Sequence, residues 1–139
     1  MGHYKKIMVA LMGDGSEQLV IEHAVNLSND LKAKLVVIHV NDPHAGKMSM
    51  MMDSPKKVTA DMIQDQIKDY GYESILGEIE FIIAEGERIA KTIEQHCKDF
   101  DLLIVGHRKM NEFKASIMDS VDEGITNLVP CPVIVVQKD

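Results

Sequence analysis

The sequence predicts an α/β protein built on a doubly wound, five-stranded parallel sheet that is flanked by about four helices. Apolar runs rich in β-branched residues alternate along the chain with segments of helical periodicity, and four of the five runs are continuous. A continuous apolar run is typical of a strand covered on both faces, as in parallel sheets. The regular alternation of strands and helices favours a doubly wound layer with right-handed crossovers.

The five predicted strands are short runs dominated by valine, isoleucine and leucine. They are 7–11, 35–40, 78–83, 102–105 and 133–136. Only the third run opens with polar and apolar residues in alternation, at Glu78-Ile79-Glu80. Alternation of this kind is typical of a half-exposed strand, so we expect a less buried position for the third strand.

The four predicted helices carry apolar residues near the 3.6-residue period. Their apolar positions are Leu19, Val20, Ala24, Leu27 and Leu31; Val58, Met62, Ile63 and Ile67; Ile89, Ala90, Ile93 and Cys97; and Val121, Ile125, Leu128 and Val129. Neither a repeat nor a linker divides the sequence, so we expect a single domain over residues 1–139. The irregular stretch 41–57, rich in methionine, is expected to form a loop within that domain.

Length and composition restrict the function classes. The chain has 139 residues, 45% of them hydrophobic and 27% charged, with a formal net charge of −7. An acidic balance disfavours binding to nucleic acid or to an acidic membrane surface. No apolar run approaches the roughly 20 residues that a membrane span needs. With two cysteines at no metal-ligand spacing and no signal-peptide pattern, the sequence predicts a cytoplasmic protein with reduced thiols.

Two segments follow predicted strands at the places where a parallel sheet binds ligands. In an open parallel sheet, ligands bind beyond the carboxyl ends of the strands, where the strand order reverses. Met12 to Ser16 follow the first strand, and Gly106 to Lys109 follow the fourth. Asp119, Ser120 and Val121 begin the last predicted helix. A strand-end glycine and a helix N-terminus both favour contact with a phosphate group.

Several of these segments carry a resemblance to a known family. They are Lys6-Ile7-Met8-Val9-Ala10, Ala33 to Val40, Glu85-Gly86, Asp101-Leu102-Leu103-Ile104-Val105-Gly106-His107 and Pro130-Cys131-Pro132-Val133-Ile134-Val135-Val136. In this order and separation they resemble the universal stress protein family over nearly the whole chain. The resemblance implies a Rossmann-like fold of the adenine nucleotide α-hydrolase type and a role in the response to stress.

The resemblance also implies a nucleotide pocket, whose pattern is glycine, two residues, glycine, nine residues, then glycine followed by Ser or Thr. Gly106 matches the first glycine and Ser120 the hydroxyl position, whereas Lys109 and Asp119 stand at the other two glycines. Met12 stands at the position of an aspartate that contacts adenine. The remaining pocket positions are Val40, beside the base, and Val121. These departures predict a degenerate loop with no nucleotide cofactor; the alternative is that ATP or AMP binds.

Each candidate site residue also has a purely structural interpretation. Gly106 can simply permit a turn and Ser120 support a helix cap, while His39 and His107 fit packed or loop histidines better than metal ligands. Lys109 and its neighbour Arg108 are typical of solvated surface. A further possibility is a soft metal ion held in the irregular stretch, although we expect packing or partner contact there and no metal. Its residues are His44, Met48, Met50, Met51 and Met52.

The remaining expectations concern assembly and activity. The last strand, Val133-Ile134-Val135-Val136, exposes unpaired backbone groups if it lies at the sheet edge, and pairing with its copy would cover them. Members of the family that this chain resembles commonly dimerise in this way, so we expect a homodimer, with a protein partner as a further possibility. No recognisable set of catalytic residues occurs, and an enzymatic role such as slow ATP hydrolysis belongs to the nucleotide-binding alternative.

Overall fold

The computed structural model describes residues 4–13, 15–43, 57–107 and 129–137. Its strands are β1 (Lys6–Ala10), β2 (Lys34–Asn41), β3 (Glu80–Glu85), β4 (Leu102–His107) and β5 (Val133–Gln137). Its α-helices are α1 (Gln18–Leu31), α2 (Ala60–Ile67) and α3 (Ile89–His96). A π-helical turn (Lys68–Tyr72) and a 3₁₀ helix (Glu73–Glu78) connect α2 to β3. The fourth predicted helix lies outside the described residues, apart from Val129.

The five strands form one sheet in the order β3-β2-β1-β4-β5, and every neighbouring pair is parallel. The predicted doubly wound parallel sheet is therefore confirmed. From β1 the chain adds strands first on one side and then on the other, so the strand order reverses between β1 and β4. Both β3 and β5 are edge strands, which agrees with the exposed character predicted for the third run.

Alternating strand residues cover the two faces of the sheet. The first apolar cluster joins one face to α1 and α2 through Ile7, Val9, Leu35, Val37, Leu102 and Ile104 on the strands, and Val20, Ile21, Ala24, Ile63 and Ile67 on the helices. The second apolar cluster joins the other face to α3 and comprises Met8, Val36, Ile38, Val40, Leu103, Val105, Ile93 and Cys97. Helices on both faces explain why these strands read as continuous apolar runs.

The structure corrects two details of the sequence prediction. The third strand begins at Glu80 rather than Glu78, because the 3₁₀ helix extends through Gly77 and Glu78. Leu19, assigned to the apolar face of the first helix, is 42% exposed. The buried face of α1 is instead formed by Val20, Ile21, Ala24, Val25 and Ser28. Ser28 tolerates this position because its hydroxyl donates to the carbonyl oxygen of Val25 at 2.9 Å.

None of the helices in the described ranges has both the length and the apolar content that crossing a bilayer requires.

Candidate functional site

Three of the predicted pocket positions meet at the carboxyl end of the sheet. Ala10 of β1 is in register with Ile38 of β2 and with Val105 of β4. Met12, Val40 and Gly106, each one or two residues further along, therefore lie at the same edge. Met12 is 51% exposed, whereas Val40 is buried and Gly106 half-buried. This edge includes the β1–β4 switch point, where ligands of open parallel sheets bind.

The remaining pocket positions of the sequence prediction are Lys109, Asp119, Ser120 and Val121. All four fall in 108–128, outside the described residues. The described part of the candidate site is accordingly formed by the ends of β2 and β4 and by the turn that follows β1. We call residues 11–13 and 15–17 the β1 turn.

The carboxylate of Glu17 holds the β1 turn together from inside. Its Oε1 accepts hydrogen bonds from the backbone N–H groups of Met12 and Gly13 at 2.9 and 2.8 Å, and its Oε2 accepts from Met12 at 2.8 Å. Glu17 is only 1% exposed. A buried carboxylate is stable when backbone donors satisfy it, and these charge-assisted bonds are stronger than neutral ones. Two backbone amides at the switch point are therefore already occupied by a side chain of this chain.

Side chains from α2 and the following turn fix the outer part of the β1 turn. The Gln66 amide donates to the carbonyl oxygen of Gly13 at 3.0 Å, and the Tyr70 hydroxyl donates to that of Gly15 at 2.9 Å. Gly13 has a φ of +73°, and a Cβ added there would lie 2.8 Å from Val58 Cγ1. Backbone conformation and space therefore both favour glycine at this position.

His39 and Asn41 connect β2 to two other segments, namely the β1 turn and the residues just before α2. His39 is buried, with Nδ1 2.7 Å from the carbonyl oxygen of Leu11 and Nε2 3.1 Å from Asn41 Oδ1. Because a carbonyl oxygen only accepts, the Nδ1 atom carries the proton in that bond. Asn41 in turn donates to the Val58 carbonyl at 2.8 Å and accepts from the Val58 N–H at 3.0 Å.

This network confirms the interpretation of His39 as a packed histidine. His107, the other histidine considered, ends β4 in a half-buried position. In the described ranges no group of three or more His, Cys, Asp or Glu side chains is placed to hold a metal ion. The soft-metal hypothesis for His44 and the methionines concerns residues outside those ranges.

The amino end of β1 carries a second carboxylate. Asp101 Oδ2 accepts hydrogen bonds from the backbone N–H groups of Lys5 and Lys6 at 2.8 and 3.0 Å. These two bonds lower the pKa of Asp101 below its ordinary value of 3.8, because they stabilise the charged form. Unlike Glu17, Asp101 lies at a solvent-accessible position. The two ends of one strand are thus held by the same type of bond in different surroundings.

A cavity of about 430 Å³ also opens at the amino end, between the end of α1 and the 3₁₀ helix. The charged side chains lining it are Lys32, Lys34 and Glu78. Lys34 begins β2, so this cavity lies at the opposite end of the sheet from the switch point. It is not part of the candidate site.

Sequence reasoning did not identify Glu17, Gln66, Tyr70 or Asn41 as residues of this region. For Glu17 a signal existed, since an acidic residue just after a glycine-containing turn and just before a helix is typical of a helix start. In the structure its side chain reaches back to the turn instead of capping its own helix. The roles of Gln66, Tyr70 and Asn41 depend on contacts between distant parts of the chain.

The sheet order and the switch-point edge define an α/β protein of the Rossmann-like class. Comparison with known proteins narrows this class. The sequence model of the universal stress protein family matches residues 3–137, and the chain belongs to that family.

Individual relatives agree with this assignment. Universal stress protein YxiE of Bacillus subtilis is 25% identical over 96% of this chain and 99% of its own length. A solved universal stress protein in complex with cAMP superposes with a TM-score of 0.72 at 17% identity, covering 98% of each chain. The Archaeoglobus fulgidus universal stress protein in complex with dAMP gives a TM-score of 0.61 at 20% identity, covering 96% of this chain and 98% of its own. The two solved structures support the fold.

Proposed function

We propose that this chain is a homodimeric regulatory module of the stress response that acts in the cytoplasm and does not hold ATP tightly. The single observation that carries the proposal is the presence of Lys109 and Asp119 where the family's phosphate loop has glycine. A side chain at either position stands where backbone must approach a phosphate closely.

Asp119 is the more damaging of the two substitutions. At the start of the last predicted helix its carboxylate can cap the helix N–H groups that would otherwise bind phosphate. Two like charges at ~4 Å repel by roughly 4 kcal/mol at an effective dielectric near 20. Such a penalty corresponds to roughly a thousandfold loss of affinity for a triphosphate.

The described side of the crevice supports the same proposal. The backbone amides of Met12 and Gly13 donate to Glu17 and are not available to an external anion. Met12 itself places an exposed thioether where the family pattern has a carboxylate for adenine. We therefore propose that Gly106, Val40, Met12, Lys109, Asp119, Ser120 and Val121 line a degenerate pocket.

Calorimetric titration with ATP, ADP and AMP tests this proposal. We expect no saturable heat from the natural protein, and measurable ATP binding once Lys109→Gly and Asp119→Gly are combined to restore the glycine pattern. Micromolar binding by the natural protein that disappears in Ser120→Ala and in Gly106→Val would contradict the proposal. Circular dichroism of each variant controls for loss of fold.

A second candidate function is adenine-nucleotide binding through an altered loop, with slow ATP hydrolysis as one form. Its support is the pair of similar folds solved with cAMP and dAMP, together with Gly106 and Ser120 retained in this chain. Nucleotide released by heating freshly purified protein, detected by chromatography and absorbance, would favour this candidate over the first.

The homodimer is proposed to form through β5. This strand lies at the sheet edge, and Ile134 and Val135 are 38% and 44% exposed. An edge strand with exposed apolar side chains is a pairing surface that proteins usually cover. Val133 and Val136 face the second and first apolar clusters and would hold the strand in place for pairing with its copy.

Light scattering of the variant Ile134→Lys tests the interface. We expect the mass of a monomer, because two-fold symmetry would bury two lysine side chains of like charge close to each other in the interface. Leu19→Lys is the matched control, since Leu19 is an equally exposed apolar residue on α1 and should leave the mass unchanged. An unchanged dimer mass for Ile134→Lys would count against the β5 interface.

The Met-rich stretch 41–57 is proposed to contact a protein partner. Methionine is flexible and polarizable, and is common in surfaces that adapt to different partners. Replacement of Met50, Met51 and Met52 by serine should abolish capture of a partner while the fold, followed by circular dichroism, stays intact. Capture that survives the triple replacement would rule out this surface.

A further inference from the structure

The fold brings together two cysteines that are distant in the sequence. Cys97 is the residue that follows α3, is fully buried and belongs to the second apolar cluster. Cys131 precedes β5 and packs, half-buried, against the same cluster. Both are free thiols. The backbone N–H of Leu103 donates to the Pro132 carbonyl at 3.0 Å, which fixes the Cys131 segment beside β4.

The two thiols are close enough to affect each other's ionisation. Burial, then the charge of Cys131 and hydrogen bonding with it, raises the pKa of Cys97 to about 12. Burial also raises the pKa of Cys131, but hydrogen bonding with Cys97 acts in the opposite direction. Both shifts favour the protonated thiol, and Cys131 differs from Cys97 in being only half-buried. The partly exposed thiol is also the one that a solute can reach.

We propose that Cys97 and Cys131 form a reversible internal disulfide when the protein meets a hydroperoxide. Cys131 is the thiol that reacts first, and Cys97 is the one that completes the bond. Cys97 belongs to the second apolar cluster and Cys131 packs against it, in the short segment between Pro130 and Pro132 that precedes β5. Disulfides in cytosolic proteins are usually transient and respond to oxidants.

The oxidation of the two thiols proceeds in two steps. The Cys131 thiol gives up its proton and its sulfur attacks one oxygen of hydrogen peroxide; a sulfur–oxygen bond forms, the oxygen–oxygen bond breaks, and the departing hydroxide takes up a proton as water. Cys131 is oxidised to a sulfenic acid and the peroxide is reduced. Cys97 sulfur then attacks Cys131 sulfur, its proton leaves with the departing hydroxide as a second water, and the disulfide forms.

The disulfide would tie the end of α3 to the beginning of β5. The covalent ring would include β4 and residues 108–128, and with them the proposed pocket positions Gly106, Lys109, Asp119, Ser120 and Val121. Cross-linking restricts the unfolded chain and is expected to raise the urea midpoint of unfolding. Oxidation would also anchor the edge strand through which the dimer is proposed to form.

Intact mass, thiol titration under denaturing conditions and peptide mapping without reductant test the proposal on the full chain. After hydrogen peroxide treatment we expect the mass to fall by two hydrogens and the titratable thiols to fall from two to none. The map should join the peptides of Cys97 and Cys131, and a dithiol should reverse every change. Thiols that survive treatment, oxygen addition without a linked peptide, or a bond between two chains would each overturn it.

Two serine variants assign the order of the steps. In Cys97→Ser, the remaining Cys131 should form a sulfenic acid that dimedone traps. In Cys131→Ser, Cys97 should stay unmodified while the protein is folded, because no solute reaches it. Dimedone labelling of Cys97 in the folded Cys131→Ser protein would contradict the assigned order. Should either variant unfold, the linked peptide in the natural protein still decides the proposal.

Discussion

At each end of β1 a carboxylate accepts hydrogen bonds from two backbone N–H groups, but one carboxylate is buried and the other is accessible to solvent. At the carboxyl end, Glu17 accepts hydrogen bonds from two consecutive backbone N–H groups, those of Met12 and Gly13. At the amino end, Asp101 accepts from two consecutive N–H groups, those of Lys5 and Lys6. Glu17 is 1% exposed, whereas Asp101 lies where water reaches it.

The difference shows how solvent decides what a hydrogen bond contributes. When an exposed carboxylate is removed, water satisfies the released N–H groups, so the net loss is small. When a buried carboxylate is removed, its part-buried donors lose their partner and a cavity is left where the side chain packed. The carboxyl end, which forms the crevice, is therefore predicted to depend on its carboxylate far more than the amino end does.

The largest effect is expected for Glu17→Ala. Removing the carboxylate takes away the partner of two part-buried N–H groups and leaves a cavity, and we expect the free energy of unfolding to fall by roughly 2–4 kcal/mol. Urea denaturation followed by circular dichroism measures this loss. Gln18→Ala, an exposed neighbouring position, is the control and should change little. A loss as small as that of the control would mean that water replaces Glu17 and that the two ends do not differ.

The next effect is expected for Gly13→Ala in the same turn. With a φ of +73°, alanine costs about 1–2 kcal/mol for the left-handed conformation, and its Cβ would crowd Val58 as well. Gly15→Ala is the matched control, since Gly15 has a φ of +83° but no atom within 4 Å of an added Cβ. The loss of stability in Gly13→Ala beyond that in Gly15→Ala measures the free-energy cost of the contact with Val58. Equal losses would show that Val58 moves aside without cost.

A smaller effect is expected for Asp101→Ala at the amino end. The released N–H groups of Lys5 and Lys6 lie where water can satisfy them, so the urea midpoint should fall by clearly less than in Glu17→Ala. The same denaturation experiment places both variants on one scale. A loss at Asp101 equal to that at Glu17 would refute the role assigned to solvent.

The smallest effect is the contribution of Asp101 to acid stability. The pKa of Asp101 is lowered in the folded protein. Its contribution to stability is therefore present at pH values above 3.8, the ordinary pKa, and is lost as the pH falls below 3.8 through the pKa of the folded state. Unfolding midpoints measured between neutral pH and about pH 2 should decline less steeply in Asp101→Asn than in the natural protein. Identical acid profiles would indicate that the two backbone bonds do not persist in solution.

The sheet was predictable from the sequence because its signal is local. Predominantly apolar runs such as 35–40 and 102–105 indicate burial on both faces, and the structure places helices on both. Alternation at the start of the third run indicated an exposed strand, and β3 is an edge. The boundary was wrong by two residues because the 3₁₀ helix at Gly77 and Glu78 leaves no periodic signal of its own.

The candidate site was predictable only in its location. Strand ends and glycines indicated the edge that holds Met12, Val40 and Gly106, because parallel strands end together. The partners that shape this edge were not predictable: Gln66 reaches Gly13 and Tyr70 reaches Gly15 across more than fifty residues of sequence. A glutamine or tyrosine on a half-buried helix face carries no signal of the carbonyl group it will meet.

The two hydrogen bonds between Asn41 and Val58 indicate a place in the chain where an insertion should be tolerated. Asn41 is the last residue of β2, and its side-chain amide forms hydrogen bonds with both the N–H and the carbonyl group of Val58. These bonds hold residues 41 and 58 together whatever sequence lies between them. Closing a loop between fixed ends costs only about 0.6 kcal/mol more for each doubling of its length. Grafted epitopes or affinity tags placed there should leave the remainder of the domain folded.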